Sequence, residues 1–381
     1  MENFVVSARK YRPADFKSVV GQEHITTTLK NAIKNNHLAQ SFLFCGPRGV
    51  GKTTCARILA KTINCENKTA DFEACDTCDA CKSFQNNSSF NIYELDAASN
   101  NSVDDIRNLV DQVRYAPQKG QYKVYIIDEV HMLSTSAFNA FLKTLEEPPS
   151  YAIFILATTE KHKILPTILS RCQIFDFNRI QIRDIATHLT KIAEAEKVEF
   201  EEEALRLIAT KADGALRDAL SIFDLIVTYS AGKKVTYQET IDNLHILDYD
   251  YYFKVVDAFL AEDISEALLI FDEILKKGFD AHNFIVGLAT HLRDVLVVKD
   301  PATVELLEVS DDTKARYIQQ SESTSVSFLI SALNIINQCD INYKMSKNQR
   351  LHVELALMKV AKLSQAFTLA KLAQAESKKK A

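Results

Sequence analysis

The chain has 381 residues, of which 47% are hydrophobic and 25% are charged, and both values are ordinary for a globular protein. At about 150 residues per domain, this length predicts two or three domains. The sequence has no apolar run near the ~18 residues of a membrane helix, and its start lacks the apolar region of a secretory signal. We therefore expect a cytoplasmic protein with no membrane partner, whose eight cysteines stay reduced.

The net charge of −5 argues against a uniformly basic nucleic-acid-binding protein, but the charge is uneven. Residues 1–60 hold nine Lys/Arg and three Asp/Glu, whereas residues 243–340 hold seven and seventeen. A polyanion could approach the first region and would be repelled by the second. Chance variation along the chain is the alternative explanation.

The first half of the chain alternates between helix and strand patterns. Short apolar runs bounded by turn residues predict strands, and periodic apolar residues predict helices. The predicted order is an amphipathic helix (His24–Asn35), a buried strand (Ser41–Cys45), a helix (Lys52 to about Asn64), a cysteine-rich insertion to about Lys82, and a second strand (Ile92–Asp96).

The alternation continues to about residue 178. Ser102 and Asp105 have the spacing of a capping box, which predicts a helix start there and an end near Arg114. Further predicted elements are strands at Lys123–Asp128, Ala152–Ala157 and Ile174–Phe177, and a helix that stops before Pro148. Continuous apolar strands that alternate with helices predict an α/β fold with a parallel sheet covered on both faces.

After Arg179 only helical periodicity remains. We therefore predict four parts: an α/β domain at 1–178 with the insertion at about 65–82, a small helical domain at 179–242, a larger all-α domain at 243–368, and a frayed polar tail at 369–381.

A phosphate-binding loop follows the first predicted strand. The run from Gly46 to Thr53 fits G-x-x-x-x-G-K-[ST] and opens a helix, which is the context that this motif requires. Its backbone N–H groups can surround phosphates, Lys52 can reach the β- and γ-phosphates, and Thr53 can bind Mg²⁺. A chance match in a glycine turn is the alternative. The predicted ATP-binding residues of this loop are Gly46, Pro47, Arg48, Gly49, Val50, Gly51, Lys52, Thr53 and Thr54.

Two adjacent acids, Asp128 and Glu129, end a predicted strand at the sheet edge where such folds bind ligands. Asp128 is predicted to hold Mg²⁺, and Glu129 is predicted to polarise the attacking water. A solvated acidic turn is the alternative reading.

Four cysteines, Cys65, Cys75, Cys78 and Cys81, have the spacing C-x9-C-x2-C-x2-C. Thiolates this close in a reduced protein suit a structural Zn²⁺ with no open coordination position. An Fe–S cluster and free buried thiols are the alternatives. We expect Cys45, Cys55, Cys172 and Cys339 to be packing residues.

Six further runs of the sequence are informative together: Tyr11–Pro13, Val20–Glu23, Asp128–Leu133, Phe141–Pro149, Leu156–Thr159 and Leu169–Cys172. They resemble the AAA+ clamp loaders, and with the cysteine insertion they are similar to the bacterial gamma/tau family of DNA polymerase III. The resemblance covers residues 8–230 best.

The resemblance implies an AAA+ ATPase domain, a helical lid and a helical collar, and it implies roles for further residues. Thr158 or Thr159, with Thr159 preferred, would be sensor 1. Arg171 would be an arginine finger on a neighbouring subunit's ATP, and Arg217 would be sensor 2. Tyr11 and Arg12 would lie near the nucleotide. The threonines could instead be ordinary strand ends, and the arginines could be structural ion-pair partners.

The resemblance also implies partners. These are further gamma/tau copies and delta- and delta-prime-type subunits in a pentamer, the sliding clamp and primer–template DNA. The polymerase core would join only if a longer tau form exists. The chain would then belong to the polymerase III holoenzyme without a polymerase active site of its own.

The segment Ala97–Arg107 matches the DNA-tracking element of this family, but Asn100 and Ser102 stand where some relatives have basic residues. Ser102, Arg107 and backbone N–H groups could still bind phosphate, and a simple helix cap is the alternative. The sequence also leaves two other functions open. One is an AAA+ branch-migration helicase, and the other is a clamp-loader scaffold without catalysis.

Overall fold

The structure is a computed structural model that describes residues 5–86, 88–117, 120–230, 234–244, 247–307, 309 and 311–367. Its internal contacts divide the chain into two compact units, residues 1–236 and 237–381. Among the described residues, no helix is both long enough and apolar enough to cross a membrane. The predicted tail at 369–381 lies outside the described residues.

The first unit contains a five-stranded sheet in the order β2-β3-β4-β1-β5, and every strand pair is parallel. The parallel sheet predicted from the apolar runs is therefore confirmed. The last strand lies one residue earlier than predicted. The strands are β1 (Ser41–Cys45), β2 (Ile92–Asp96), β3 (Lys123–Asp128), β4 (Ala152–Thr158) and β5 (Gln173–Asp176).

Helices cover both faces of this sheet, so the central strands are buried on both sides, as their continuous apolar sequences require. One apolar layer includes Phe42, Leu59 and Ile155, and the other includes Leu43, Phe141 and Leu156. The helices of this part are α1 (Ser7–Lys10), α2 (Glu23–Lys34), α3 (Lys52–Ile63), α4 (Asp79–Gln85), α5 (Val103–Val113), α6 (Thr135–Glu146) and α7 (Pro166–Leu169).

Three helices complete the first unit. Their apolar faces, with Ile185, Leu189 and Phe223 buried, follow the 3.6-residue period seen in the sequence. These helices are α8 (Ile182–Ala195), α9 (Glu202–Lys211) and α10 (Leu216–Tyr229).

Among the described residues of the second unit, helices joined by loops are the regular elements. The unit has its own apolar core, in which Phe259, Phe271 and Phe284 are buried. Side chains of Asp263, Asp280 and Ser325 cap the starts of three of its helices, which satisfies backbone N–H groups that would otherwise be unpaired. Its helices are α11 (Tyr237–Leu244), α12 (Tyr249–Leu260), α13 (Ile264–Lys276), α14 (Ala281–Val297), α15 (Asp311–Ser323), α16 (Val326–Tyr343) and α17 (Gln349–Ala361).

Candidate functional site

The carboxyl edge of the parallel sheet brings three polar segments together. The loop Gly46–Gly51 follows β1, the acid pair lies at the end of β3, and Thr158 and Thr159 lie at the end of β4. Cys45 on β1 pairs with Thr158 on β4, so the loop and the threonines leave the sheet at the same level. Parallel strands that end at one edge are the usual position of a ligand site in this class of sheet.

Two glycines of the loop are required by the surrounding structure. Gly46 has φ 147°, and a Cβ there would lie 2.4 Å from the carbonyl oxygen of Phe177. Gly49 has φ 77°, and a Cβ there would lie 3.0 Å from the Cβ of Ala215. The loop therefore packs closely on the residue that follows β5 and on the start of α10.

Lys52 is the first residue of α3, and its side chain lies folded into the loop. Its Nζ donates to the carbonyl oxygens of Gly46 and Pro47 at 2.7 Å each. Burial lowers the pKa of Lys52, and the nearby charges of Glu129 and Asp128 oppose this shift. The ammonium group thus already lies in the loop that would surround phosphates. In the same loop, Arg48 is exposed and Val50 is buried.

Thr53 and Asp128 are in direct contact. The Thr53 Oγ1 donates to Asp128 Oδ2 at 2.5 Å, which joins the start of α3 to the end of β3. A hydroxyl and a carboxylate held side by side are hard oxygen ligands of the kind that Mg²⁺ prefers. The residues present therefore fit the magnesium site predicted for Thr53 and Asp128.

Glu129 adopts a left-handed conformation with φ 47° and lies against the end of β4. Its Oε2 accepts hydrogen bonds from the backbone N of Thr159 at 3.2 Å and from the Thr159 hydroxyl at 3.0 Å. Thr158, in contrast, is fully buried, and its Oγ1 lies 3.1 Å from Nδ1 of His131. Of the two threonines, Thr159 is the one in contact with the predicted catalytic acid.

His131 was not singled out from the sequence, although it lies only two residues after Glu129. Its Nδ1 lies 3.4 Å from Glu129 Oε2, and its Nε2 lies 3.2 Å from Glu160 Oε2. Lys163 in turn pairs with Glu160 at 2.5 Å. The His131 imidazole thus connects the segment after β3 to the segment after β4. Its place inside the Asp128–Leu133 run was the only available signal.

Two arginines contact the loop or the helix that follows it. The Arg12 Nε donates to Thr54 Oγ1 at 3.2 Å, and the backbone N of Arg217 donates to the carbonyl oxygen of Gly49 at 3.3 Å. Desolvation lowers the pKa of Arg12, and the charges of Arg57 and Arg217 act in the same direction. A polyphosphate bound here would relieve this repulsion between like charges.

Tyr11 contacts the helical part of the unit through its side chain. Its hydroxyl donates to Glu196, which also pairs with Lys10 at 2.5 Å. Tyr11 and Arg12 therefore make different contacts although they are adjacent in sequence. Tyr11 contacts Glu196 at the end of α8, and Arg12 contacts Thr54 at the start of α3.

Arg171 makes its contacts away from the phosphate-binding loop. Its guanidinium donates to the carbonyl oxygen of Thr167 at 2.6 Å and to Glu146 Oε1 at 2.7 Å. Among the described residues, none of its hydrogen bonds reaches the loop of its own chain. Arg171 is thus an exposed cation whose described contacts lie with α6 and α7.

The four predicted metal ligands come together. The sulfur atoms of Cys65, Cys75, Cys78 and Cys81 all lie within 4.8 Å of one another, and those of Cys65 and Cys78 are 4.0 Å apart. Tetrahedral Zn–S bonds of about 2.3 Å would place sulfurs roughly 3.8 Å apart, so the donor set fits zinc. Hydrogen bonds, first that of the Thr77 side chain, lower the pKa of Cys75 to about 6.

In the candidate DNA-binding segment Ala97–Arg107, several polar groups cap the start of α5 or bind within the segment. The Ser102 side chain accepts from the backbone N of Asp105, and the Asp105 carboxylate accepts from the backbone N of Ser102, so the predicted capping box is present. The Asn100 amide donates to the carbonyl oxygen of Asp96 at 3.0 Å, and Arg107 lies 3.4 Å from Asp104. Arg107 is the exposed cation of this segment.

Comparison with known families gives three consecutive matches. Residues 21–181 match the family described as DNA polymerase III, delta subunit. Residues 184–232 match the DNA polymerase III clamp loader subunit, ATPase lid domain. Residues 235–375 match DNA polymerase III subunits gamma and tau domain III.

Curated relatives cover nearly the whole chain. DNA polymerase III subunit tau of Bacillus subtilis is 42% identical over 356 residues, which are 93% of this chain and 63% of that relative. DNA polymerase III subunit tau of Escherichia coli is 36% identical over 359 residues, which are 94% of this chain and 55% of that relative. The chain thus spans between about half and two thirds of the length of these relatives.

Among solved structures, the Thermotoga maritima RuvB Holliday junction branch migration motor has a TM-score of 0.47 with 18% sequence identity. That match covers 82% of this chain and 91% of the other.

Proposed function

Because the chain belongs to the gamma/tau family of AAA+ clamp-loader subunits of DNA polymerase III, we propose that it is an ATPase that drives the loading of a sliding clamp. In this proposal ATP binding organises a ring of subunits that opens the clamp. Primer–template DNA then triggers hydrolysis and release of the closed clamp. The chain would work in the cytoplasm, at the nucleoid, as part of the replicative assembly.

The observation that carries the proposal is the geometry at the carboxyl edge of the sheet. Lys52 is held in the loop by two carbonyl oxygens at 2.7 Å, Thr53 is bonded to Asp128 at 2.5 Å, and Glu129 is held by Thr159 at 3.0 Å. These are the parts that phosphoryl transfer needs: a cation for the phosphates, oxygen ligands for Mg²⁺ and a carboxylate for the attacking water.

Each residue of the site has its own role in ATP hydrolysis. Lys52 exchanges its two carbonyl partners for phosphate oxygens when ATP binds. Thr53 and Asp128 would hold Mg²⁺, which would supply positive charge to the phosphates. Glu129 accepts a hydrogen bond from the attacking water, and Thr159 fixes the direction of that carboxylate.

Two arginines would make hydrolysis depend on conformation and assembly. Arg217 lies at the start of α10, against Gly49, so it can join the lid to the nucleotide. Arg171, whose contacts lie away from its own loop, would complete the site of a neighbouring copy. A guanidinium supplied in trans stabilises charge at the γ-phosphate and makes turnover depend on the ring.

We further propose that the four cysteines hold one structural Zn²⁺. The support is the distance of 4.8 Å or less among their sulfur atoms and their place in a segment whose own apolar cluster contains little besides those cysteines and Ala74. A closed set of four protein ligands leaves no position for a catalytic water. The expected partners are further copies of the chain, delta-type subunits, the clamp and primer–template DNA.

The experiment that tests this function is an ATPase assay on the chain assembled with its candidate partner subunits, with and without clamp and primed DNA. We expect hydrolysis that rises when clamp and primed DNA are both present and that is lost in the Lys52→Ala variant. A wild-type assembly that binds clamp and DNA but releases no phosphate would instead support a non-catalytic scaffold. Translocation along double-stranded DNA without clamp would favour a helicase.

A further inference from the structure

The cysteine-rich insertion packs against a segment that the nucleotide site uses. We call residues 65–85 the cysteine module, which includes the four cysteines and α4. We call residues 11–16 the Arg12 segment, which contains Tyr11 and Arg12. The module would bind a metal and the segment lies at the nucleotide site, and polar contacts join the two.

The first connection passes through Lys61, which lies on α3 nine residues after Lys52. Only 5% of Lys61 is exposed. Its Nζ donates to the carbonyl oxygen of Ala14 at 2.7 Å and to Asp76 Oδ1 at 2.5 Å. Ala14 belongs to the Arg12 segment, and Asp76 lies between the ligands Cys75 and Cys78. Because a buried ammonium needs partners, Lys61 holds the two pieces of chain together.

The second connection passes through Glu73 of the cysteine module. Its Oε2 accepts a hydrogen bond from the backbone N of Phe16 at 3.1 Å, and its Oε1 pairs with Lys30 of α2 at 2.5 Å. Phe16 is 2% exposed and belongs to the apolar layer on one face of the sheet. The end of the Arg12 segment is therefore fixed to the same module that holds the cysteines.

The third connection is a shared cleft. A cavity of about 150 Å³ is lined by Arg12 and Ala14 of the segment, Arg57 and Lys61 of α3, and Phe84 of the module. The Arg57 guanidinium lies over the Phe84 ring at 4.8 Å. The module therefore contacts Arg57, which also pairs with Glu94, and the charge of Arg57 lowers the pKa of Arg12.

Arg12 completes the path to the nucleotide loop, because its Nε donates to Thr54 Oγ1 at 3.2 Å, next to the proposed magnesium ligand Thr53. We propose that the cysteine module is a positioning element for the nucleotide site: metal bound by its four cysteines fixes the Arg12 segment through Lys61 and Glu73. Metal binding and nucleotide binding are then coupled. This inference rests on the proposed function, since it concerns the same ATP site.

Thermodynamic linkage requires the coupling between metal and nucleotide to be reciprocal. If bound metal raises the affinity for nucleotide by some factor, bound nucleotide raises the affinity for metal by the same factor. The Lys61 contacts join the Arg12 segment to the residue between two of the cysteines, so removing them leaves both sites in place and weakens the coupling between them. A merely local metal site would not show this reciprocity.

The test uses the full chain, zinc, a zinc-binding dye and a fluorescent ATP analogue with Mg²⁺. For the wild type we expect chelation of zinc to weaken analogue binding about tenfold, within the usual range of coupling between sites. We expect saturating analogue to raise the zinc affinity measured with the dye by the same factor. Both measurements use the wild type, so they remain valid if a substitution harms folding.

Lys61→Met is the informative variant, and Lys17→Met is its matched control. Lys17 is exposed and lies one residue beyond the Arg12 segment. We expect Lys61→Met to keep one zinc per chain, to bind the analogue several-fold more weakly, and to lose most of the further effect of chelation. Lys17→Met should behave as the wild type does.

Two results would overturn the inference, and they differ. Wild-type binding that is indifferent to zinc, with Lys61→Met binding equally well, would remove the coupling and leave the proposed function standing. A wild type that binds no nucleotide would remove the proposed function and the coupling with it.

Discussion

The Thr159 hydroxyl donates a hydrogen bond to the Glu129 carboxylate across 3.0 Å, and the Thr159 backbone N donates to the same oxygen at 3.2 Å. The acid at the end of β3 is therefore held by the residue that follows β4. A carboxylate that must align a water molecule benefits from such a fixed direction, because hydrolysis depends on positioning.

We predict that Thr159→Val lowers ATP turnover about tenfold and leaves ATP affinity within about twofold, because it removes one of two hydrogen bonds to Glu129 and keeps the side-chain shape. Phosphate release and nucleotide binding measured on the same preparation test this. Thr158→Val is the matched control. It removes a buried hydroxyl that contacts His131 and the backbone N of Glu160, so it should cost about 1–2 kcal/mol of stability. Equal loss of turnover in both variants would contradict the distinction.

Glu129→Gln should bind ATP and hydrolyse it about 10²-fold or more slowly, because the amide cannot accept a proton from the attacking water. Single-turnover hydrolysis in the assembled ring is the measurement. Glu203→Gln, at an exposed position of α9, is the control and should hydrolyse ATP at the wild-type rate. Turnover near wild type in Glu129→Gln would assign the water-polarising role to another group.

Arg171→Ala should spare ATP binding by the isolated chain and reduce hydrolysis by the assembly on the order of 10³-fold, the typical effect of an arginine finger. If Arg171 served only its ion pair with Glu146, the loss would be confined to about 1 kcal/mol of stability or less. Glu146→Gln separates these roles, since it removes the ion pair and keeps the arginine. Equal damage from both substitutions would argue against action in trans.

Cys78→Ser should abolish stoichiometric zinc and lower the melting temperature, because three thiolates and a hydroxyl hold the ion much more weakly than four thiolates do. Metal analysis and calorimetry of the purified chain test this. Cys339→Ala is the control, because Cys339 is buried in the second unit, far in sequence from the module. Zinc retained by Cys78→Ser would mean that this cysteine is not a ligand.

His291 gives a prediction for pH. It is buried in α14, with Nδ1 3.1 Å from the Tyr317 hydroxyl and Nε2 2.8 Å from Gln320 Oε1. Burial lowers the pKa of His291 from 6.5 to about 4. Since the unfolded chain takes up this proton near pH 6.5 and the folded chain does not, protonation favours unfolding. The stability that His291 contributes is complete above about pH 6.5 and is lost as pH falls towards 4.

The pKa difference at His291 corresponds to roughly 3 kcal/mol at the acid end of that range. We predict that His291→Gln unfolds less steeply with falling pH than the wild type does between pH 6.5 and 4. Calorimetry at a series of pH values measures this, and His37→Gln, at an exposed position, should keep the wild-type profile. An unchanged slope in His291→Gln would contradict the assignment.

The sequence was sufficient for the parts that depend on local pattern. The runs Ser41–Cys45 and Lys123–Asp128 are continuous and apolar, so both strands and their burial were predictable. The capping box at Ser102 was visible because its two residues are three apart. The phosphate-binding loop and the spacing of the cysteines were equally local.

The contacts that join distant segments were not predictable in this way. Lys61 has the helical spacing of an ordinary surface lysine, and only the fold brings Ala14 and Asp76 to its ammonium. His131 similarly meets Glu160 only because β3 and β4 end side by side. The different contacts of Thr158 and Thr159 were also not predictable, since they follow from the opposite directions of the two side chains at the end of a strand.

Whether the loop that ends at Lys52 binds nucleotide is tested by equilibrium binding of ATP with Mg²⁺ to the purified chain and to Lys52→Ala. We expect saturable binding of one ATP per chain, which Lys52→Ala weakens by at least about tenfold. No binding by the wild type at millimolar ATP, or equal binding by both proteins, would contradict it.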